Sequence, residues 1–487
     1  MDERGTTLQT SAPGSLPKAL SIPTQTLTEE DARRIYQQGE EAVIFVLLTL
    51  AKERAELAQK LAAQRNPSPS TPSAMVPVYQ KPPIRRRGKT PGRPEGHEGA
   101  RRPLPPRIDR QQEHRLESCP DCGSEVSPID APPRTRVVED ILETPAVATE
   151  HTIHRAYCRR CRKIVEPVVT EALPGATIGN RLLALGAWLH YGLGQTLSQI
   201  VSVFNFHLKI QVSPGGLVAM GYRLQEILYG WYEEIGRQAK LSAILFADET
   251  GWRVKGATWW LWCFTSRTVT YYMIDRSRGE PALKKFFTEL FEGILITDFW
   301  GPYLRVKAAF KQKCIPHLLR ELQKVDVRNK SPAWGAFRKK LKRLFHDALR
   351  LDKREEISAQ EYASRRARLD SRLDELIQEG SQDADAHRLL KRLATYRKDL
   401  FTFLDQEGVP PDNNTAEREI RPAVIIRKNS LCNRSQDGAD MQAVLMSIYR
   451  TLKLRGHDPI RTIVAALGEY LRTGKLPPLP PPPASLG

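Results

Sequence analysis

The chain has 487 residues, 40% of them hydrophobic and 27% charged, with a formal net charge of +18. That is long enough and apolar enough for several domains with real cores, and the charge favours a polyanionic partner, most simply nucleic acid. Seven cysteines, four of them in two CxxC pairs, argue against a disulfide framework and for metal binding in a reducing cytosol.

The N-terminus, MDERGTTLQTSAPGSLP, lacks the apolar core of a secretory signal, and the apolar run at residues 42–51 is about half the length of a membrane span. A cytoplasmic, nucleoid-associated protein with no membrane partner is the expectation. Residues 1–27 are rich in Ser, Thr and Pro and read as disordered. Thr28 with Glu29, Glu30 and Asp31 then opens a capped helix over residues 28–65. Its apolar positions suit either a coiled coil for self-association or an ordinary amphipathic helix.

Residues 66–112 form a linker in which proline and glycine forbid regular structure. Its crowded basic residues, Arg85, Arg86, Arg87 and Arg93 among them, fit phosphate contact along a DNA backbone. Residues 113–170 hold Cys119 and Cys122, then Cys158 and Cys161 after a stretch that alternates like short strands. Two CxxC pairs supply four thiolates to one structural Zn2+ in a closed tetrahedral site. Arg159 and Arg160, inside the second pair, again point to nucleic acid. Residues 174–240 read as helices, either a helix-turn-helix DNA-binding region or a connector packed on the following domain.

From residue 241 the pattern changes. LSAILFADE, ATWWLWCFTS and TVTYYMI are three strand-like runs with short gaps, an antiparallel meander whose first strand ends on Asp248 and Glu249. A helix over residues 281–291 leads to GILITDFWGPY, a further short strand ending on Asp298. Two strand-end aspartates can share or hold divalent ions, and hard carboxylate ligands suit Mg2+ or Mn2+. Two such ions stabilise the attacking and leaving oxygens of a phosphodiester. The third acid is Glu417 in PPDNNTAEREIRP, where Asp412 or Asn413 caps a helix and places Glu417 in its early turns. Arg418, Arg421, Arg427 and Lys428 make its setting basic. Between the second and third acids, residues 326–406 read as three charged helices.

ADETGW, LITDFWGPY, CIPHLLRE and DNNTAEREIRP…RK, in this order after CPDCG…YCRRC and a basic linker with GHEG, resemble the DDE transposases of bacterial insertion sequences, specifically the insertion sequence 66 family. The resemblance covers roughly residues 28–475. It implies a multidomain α/β chain with a ribonuclease H-like catalytic core, residues 241–325 and 407–458, interrupted by the all-helical insertion at 326–406. It implies catalytic roles for Asp248, Asp298 and Glu417 with two Mg2+ (or Mn2+), and supporting places for His317 and Arg320 near a CxxH that helps build such cores. The segment NSLCNRSQDGAD departs from the family's aromatic-bearing version. A C-terminal helix and a disordered Pro-rich tail complete residues 459–487.

The activity so implied is binding of double-stranded DNA, as terminal inverted repeats and target, with strand cleavage and strand transfer by a homo-oligomer, aided by companion proteins of the same element. The competing readings are a nuclease without strand transfer and a domesticated, non-catalytic DNA-binding regulator.

Overall fold

The computed structural model describes residues 28–65, 105–118, 120–127, 137–138, 146–353 and 357–482. These fall into two compact units. One takes residues 28–65, 316–345 and 371–392, and the other takes the remainder.

In the first unit, Thr28 caps α1 (Glu29–Tyr36) through a reciprocal box with Asp31, whose amide reaches the Thr28 hydroxyl at 3.3 Å. The single long helix expected from here is broken at Gly39, whose φ of +103° only glycine adopts cheaply, and α2 (Glu40–Arg65) follows. Leu47 and Leu48 of α2 are exposed. The rest of the unit comes from parts of four helices: α7 (Ile315–Arg328), α8 (Pro332–Asp352), α9 (Ala359–Glu379) and α10 (Ala384–Thr395). Their charges are paired within the unit: Glu321 is buried and receives both Arg388 and Arg392, and Asp383 accepts Asn329 and Ser331.

The second unit begins, among the described residues, with irregular chain and the hairpin of β1 (Ala156–Cys158) and β2 (Lys163–Val165). Next come α3 (Asn180–Ala187), α4 (Leu197–Ser202) and α5 (Pro214–Lys240), the first two each continued by a π-helical turn. Helix α5 places Leu224, Leu228, Trp231, Ile235 and Ala239 on one face, and all five are buried in the same core as the sheet. It is therefore integral to that core.

The sheet has five strands in the order β5-β4-β3-β6-β7. β3 (Ile244–Val254), β4 (Ala257–Thr265) and β5 (Thr270–Asp275) form the expected antiparallel meander, with a tight turn in which Lys255 and Gly256 both have positive φ. Helix α6 (Glu280–Phe286) is shorter than expected and returns the chain to β6 (Phe291–Thr297), which pairs parallel to β3. Gly293 makes that entry possible, because a Cβ there would lie 2.4 Å from the Ser242 carbonyl oxygen. β7 (Ala308–Lys313), which the weak pattern AAFKQK did not announce, adds a parallel edge.

Both edges are covered. On β7, Thr402 donates to the Lys311 carbonyl from the short α11 (Thr402–Asp405), and the amide of Phe403 donates to the Gln312 side chain. On β5, the amides of Thr270 and Tyr272 donate to Thr451 and Ser447 of α13 (Gln436–Leu454), at 3.1 and 2.8 Å. Helix α12 (Asn414–Ser430) precedes it and α14 (Pro459–Thr473) follows.

The proline-rich tail departs from its expected disorder as far as residue 482; residues 483–487 lie outside the described residues. Proline carbonyls, with no N–H of their own to satisfy, serve as acceptors for buried donors. Trp231 Nε1 donates to Pro477 at 2.7 Å, and the buried Arg455 donates to Pro480, Thr268 and Gln238. Leu479 is buried in the core. Residues 1–27 and 66–104, expected to be disordered or linker, lie outside the described residues; 105–112 are chain without helix or strand.

Replacing Ser447 by alanine leaves the buried Tyr272 amide without its acceptor, which costs about 1–3 kcal/mol. Thermal unfolding should show a lower Tm for Ser447→Ala, and an unchanged Tm would mean that the β5 edge is satisfied otherwise.

Candidate active site

Asp248 does not end its strand as expected. β3 runs six residues further because β4 pairs with it as far as Val254↔Ala257. The parallel pairing with β6, however, ends at Phe246↔Ile296. Asp248 and Asp298 each lie two residues beyond that pair, so the acids arrive at the same level on neighbouring strands.

Glu417 comes from the first turn of α12. Asn413, just before that helix, is wholly buried and does not cap it with its side chain; instead its Nδ2 donates to the Ala247 carbonyl at 2.9 Å. Its backbone amide donates to the Cys314 Sγ at 3.2 Å. Asp412 supplies the cap, accepting the Asn414 amide at 3.0 Å. The start of α12 is thereby fastened beside Asp248. Burial first, then the charges of Glu249, Asp298 and Glu417, push the Asp248 carboxyl well above the usual carboxylate range, against the lowering effect of the Glu249 amide on its Oδ1.

Glu249 is a fourth acid at this edge, its side chain 2% exposed. Arg278 donates to it at 3.0 Å and the Tyr303 hydroxyl at 2.8 Å. Burial and then the Asp298 charge push Glu249 up to about 7, with Arg278 and Tyr303 opposing. The Arg278 guanidinium lies over the rings of Trp260 and Trp300, 4.5 and 3.9 Å from their centroids. The Trp300 amide donates to Asp298 Oδ1 at 2.8 Å. Trp252, Trp259 and Trp262 are buried, and Trp260 is partly so.

Lys313, at the end of β7, escaped the sequence reading. It is wholly buried, and its Nζ donates to Thr297 Oγ1 at 2.7 Å and to the Asp298 carbonyl at 3.0 Å. Burial presses its pKa down to about 8, while the Asp298 charge works in the opposite direction. The only hint in the sequence was a lysine one residue before the buried Cys314, which without β7 had no strand to sit on.

The other expected residues are dispersed. Arg418, Arg421 and Lys428 are exposed on α12, and Arg421 and Lys428 lie four and eleven residues on from Glu417, on its face of the helix. Arg427 turns inward and donates to Thr250 Oγ1 at 2.9 Å and to the Gly251 carbonyl, tying α12 to β3. The divergent loop after α12 does similar work, since Asn433 accepts Trp252 Nε1 at 2.7 Å and exchanges backbone hydrogen bonds with β3 and its turn. His317 and Arg320 lie in the first turns of α7, where Arg320 Nε donates to the Pro316 carbonyl at 3.4 Å. Arg159 and Arg160 are exposed in the β1–β2 turn; Arg85, Arg86, Arg87 and Arg93 lie outside the described residues.

Cys119 also lies outside the described residues. Cys158 ends β1 and Cys161 lies in the β1–β2 turn, the amide of Cys161 donates to Cys158 Sγ at 3.4 Å, and such bonds lower the Cys158 pKa. Gly123, after Cys122, has a φ of +75°. Amides turned onto a thiol, with a tight turn after a CxxC, suit thiolate ligation of a zinc ion.

Over residues 175–441, more than half of its length and including Asp248, Asp298 and Glu417, the chain matches the family described as Transposase IS66 family. The chain belongs to that family. It is also similar to the uncharacterized protein y4qI of Sinorhizobium fredii (strain NBRC 101917 / NGR234), 26% identical over 275 residues, which are 50% of this chain and 49% of y4qI. The uncharacterized protein y4jD of the same organism is 31% identical over 91 residues, 19% of this chain and 18% of y4jD. The chain thus spans about half the length of the first relative and less of the second. In this IS66 family member, no helix among the described residues is long and apolar enough to cross a membrane.

An acid whose pKa is raised on folding stabilises the folded state at low pH and loses that contribution as pH rises through its folded value. Asp248→Asn should therefore raise the Tm in chelator at pH 8, with the gain shrinking toward pH 5. A Tm difference that is independent of pH between 5 and 8 would contradict the mutual repulsion of these acids.

Proposed function

We propose that this chain is a DNA transposase that cuts at the ends of its insertion sequence and joins them to target DNA. The observation that carries the reading is the convergence of Asp248, Asp298 and Glu417 from two strands and a helix, inside the region that matches the family. The strand order β5-β4-β3-β6-β7, with three antiparallel and two parallel members, is that expected of a ribonuclease H-like core. On this reading α8–α10 are its helical insertion, and the segment around the two CxxC pairs is a separate zinc domain.

Glu249, Asp298 and Glu417 lie near enough to Asp248 for their charges to act on it, and the carboxylates of Asp248, Asp298 and Glu417 would hold two Mg2+ (or Mn2+). Bound there, such ions supply Lewis-acid stabilisation of the attacking and leaving oxygens. The protein positions the phosphodiester. The exposed Arg418, Arg421 and Lys428 run along α12 away from Glu417 and take up backbone phosphates, and Arg159, Arg160 and the basic linker contribute further phosphate contacts. A water oxygen attacks the scissile phosphorus and the 3′ oxygen leaves as a hydroxyl. That hydroxyl then attacks a target phosphodiester in line, so one P–O bond forms as another breaks. Self-association through α2, with Leu47 and Leu48 exposed, and help from companion proteins belong to the same proposal.

Purified protein, Mg2+ and labelled duplex spanning the flanks of its own gene should give cleaved ends and joined products. Asp248→Asn, Asp298→Asn and Glu417→Gln should each lower cleavage by at least about 100-fold. Full activity in all three would refute the assignment, and cleavage without joining would reduce it to a nuclease. Metal analysis should find one zinc per chain, lost in a Cys158→Ser, Cys161→Ser double variant; zinc retained there would exclude this ligand set.

A further inference from the structure

We propose that Lys313 is a positioning residue of the reaction, its buried ammonium holding the Asp298 segment in the geometry that cleavage needs. This rests on the proposed role of Asp298.

A wholly buried lysine is costly unless its donors are used, and this one spends them on a single short stretch: the Thr297 hydroxyl and the Asp298 carbonyl. Two aromatic rings also lie near it. Nζ lies 5.6 Å from the Tyr303 ring centroid and 4.8 Å from that of Tyr396, and the Tyr396 hydroxyl donates to the Phe299 carbonyl at 3.2 Å. Residues 297–299 are therefore gripped at three successive positions from this side.

From the other side, the Trp300 amide fixes Asp298 Oδ1, and Trp300 Nε1 donates to the Arg278 carbonyl at 3.1 Å while Arg278 covers its ring. Asp298 lies beyond the last residue of β6, so it has no ladder partner of its own to hold it. Lys313 ends β7, the strand paired with β6, and its pairing Thr297↔Lys313 sets the ammonium against the departing chain. The charged groups acting on Lys313 are Asp298, Asp399, Lys311 and Glu249. A neutral side chain in that slot would leave the Thr297 hydroxyl without its donor and the Asp298 carbonyl with only that hydroxyl, which donates to it at 2.9 Å. A misplacement of about 1 Å in a catalytic group can cost about 100-fold in rate.

The test measures cleavage rate and DNA affinity separately, on duplex spanning the flanks of the gene, with affinity read in Ca2+. Lys313→Met, close in shape but uncharged, should lose 10-fold or more in single-turnover cleavage while binding DNA within about 2-fold of wild type. Thr297→Val, which keeps the shape but removes one acceptor of the ammonium and the hydroxyl's own bond to the Asp298 carbonyl, should lose a smaller factor in the same sense, and it serves if Lys313→Met does not fold. Wild-type cleavage by both variants, with Asp298→Asn inactive, would overturn the role of Lys313 and leave the proposed function standing. An equal loss of DNA affinity and cleavage would also overturn it, as mere support of the fold. Undiminished cleavage by Asp298→Asn would instead sink the catalytic assignment itself.

Discussion

The repulsion among carboxylates gathered at one sheet edge is the constraint around which the second unit is built. Asp248, Glu249, Asp298 and Glu417 come from two strands and a helix, and burial of Asp248 and Glu249 denies those two the water that would ordinarily screen them. Such a cluster needs rigid surroundings, because each acid would relax away from the others if its backbone allowed it. The surroundings comply: Asn413 fastens α12 to β3, Arg278 and Tyr303 hold Glu249, and Trp300 with Lys313 hold Asp298. Free energy gained in the core is thereby put at the disposal of a site that is unfavourable by itself.

Those fastenings depend on a sheet that cannot slide. Its two edges are closed by hydroxyl and amide side chains rather than by further strands, with Ser447 and Thr451 on one side and Thr402 and Gln312 on the other. This blocks the pairing of edge strands between molecules. It also sets the register of α13, whose buried surface extends almost all the way around.

Much of the site could be read from the sequence because its residues are punctuation. Asp248 and Asp298 each interrupt an apolar run, and Glu417 follows a recognisable helix start, so the three acids proposed for the site stand out without a fold. What escaped was set by long-range pairing. That β3 continues past Asp248 depends on β4, and neither periodicity nor propensity at ADETGWRV states where a strand loses its parallel neighbour. β7 was missed because AAFKQK alternates only weakly, and Lys313 vanished with it. Arg427 looked like its basic neighbours on α12, yet the helix turns it inward to β3 while Arg418, Arg421 and Lys428 face out. The tail was read as disordered from composition alone, which cannot reveal that Trp231 and Arg455 were short of acceptors.

The closure of β5 has a consequence for how the chain matures. Tyr272 and its partner Ser447 are 175 residues apart, and Trp231 meets Pro477 across 246. A ribosome must therefore pass Ser447 before the meander has its cover, and the apolar strands wait in the meantime with an open edge. Folding is slow for pairings so distant, and aggregation competes with it throughout. A chain broken off after α12 would carry every acid of the site and still lack the helix that closes the sheet beneath them.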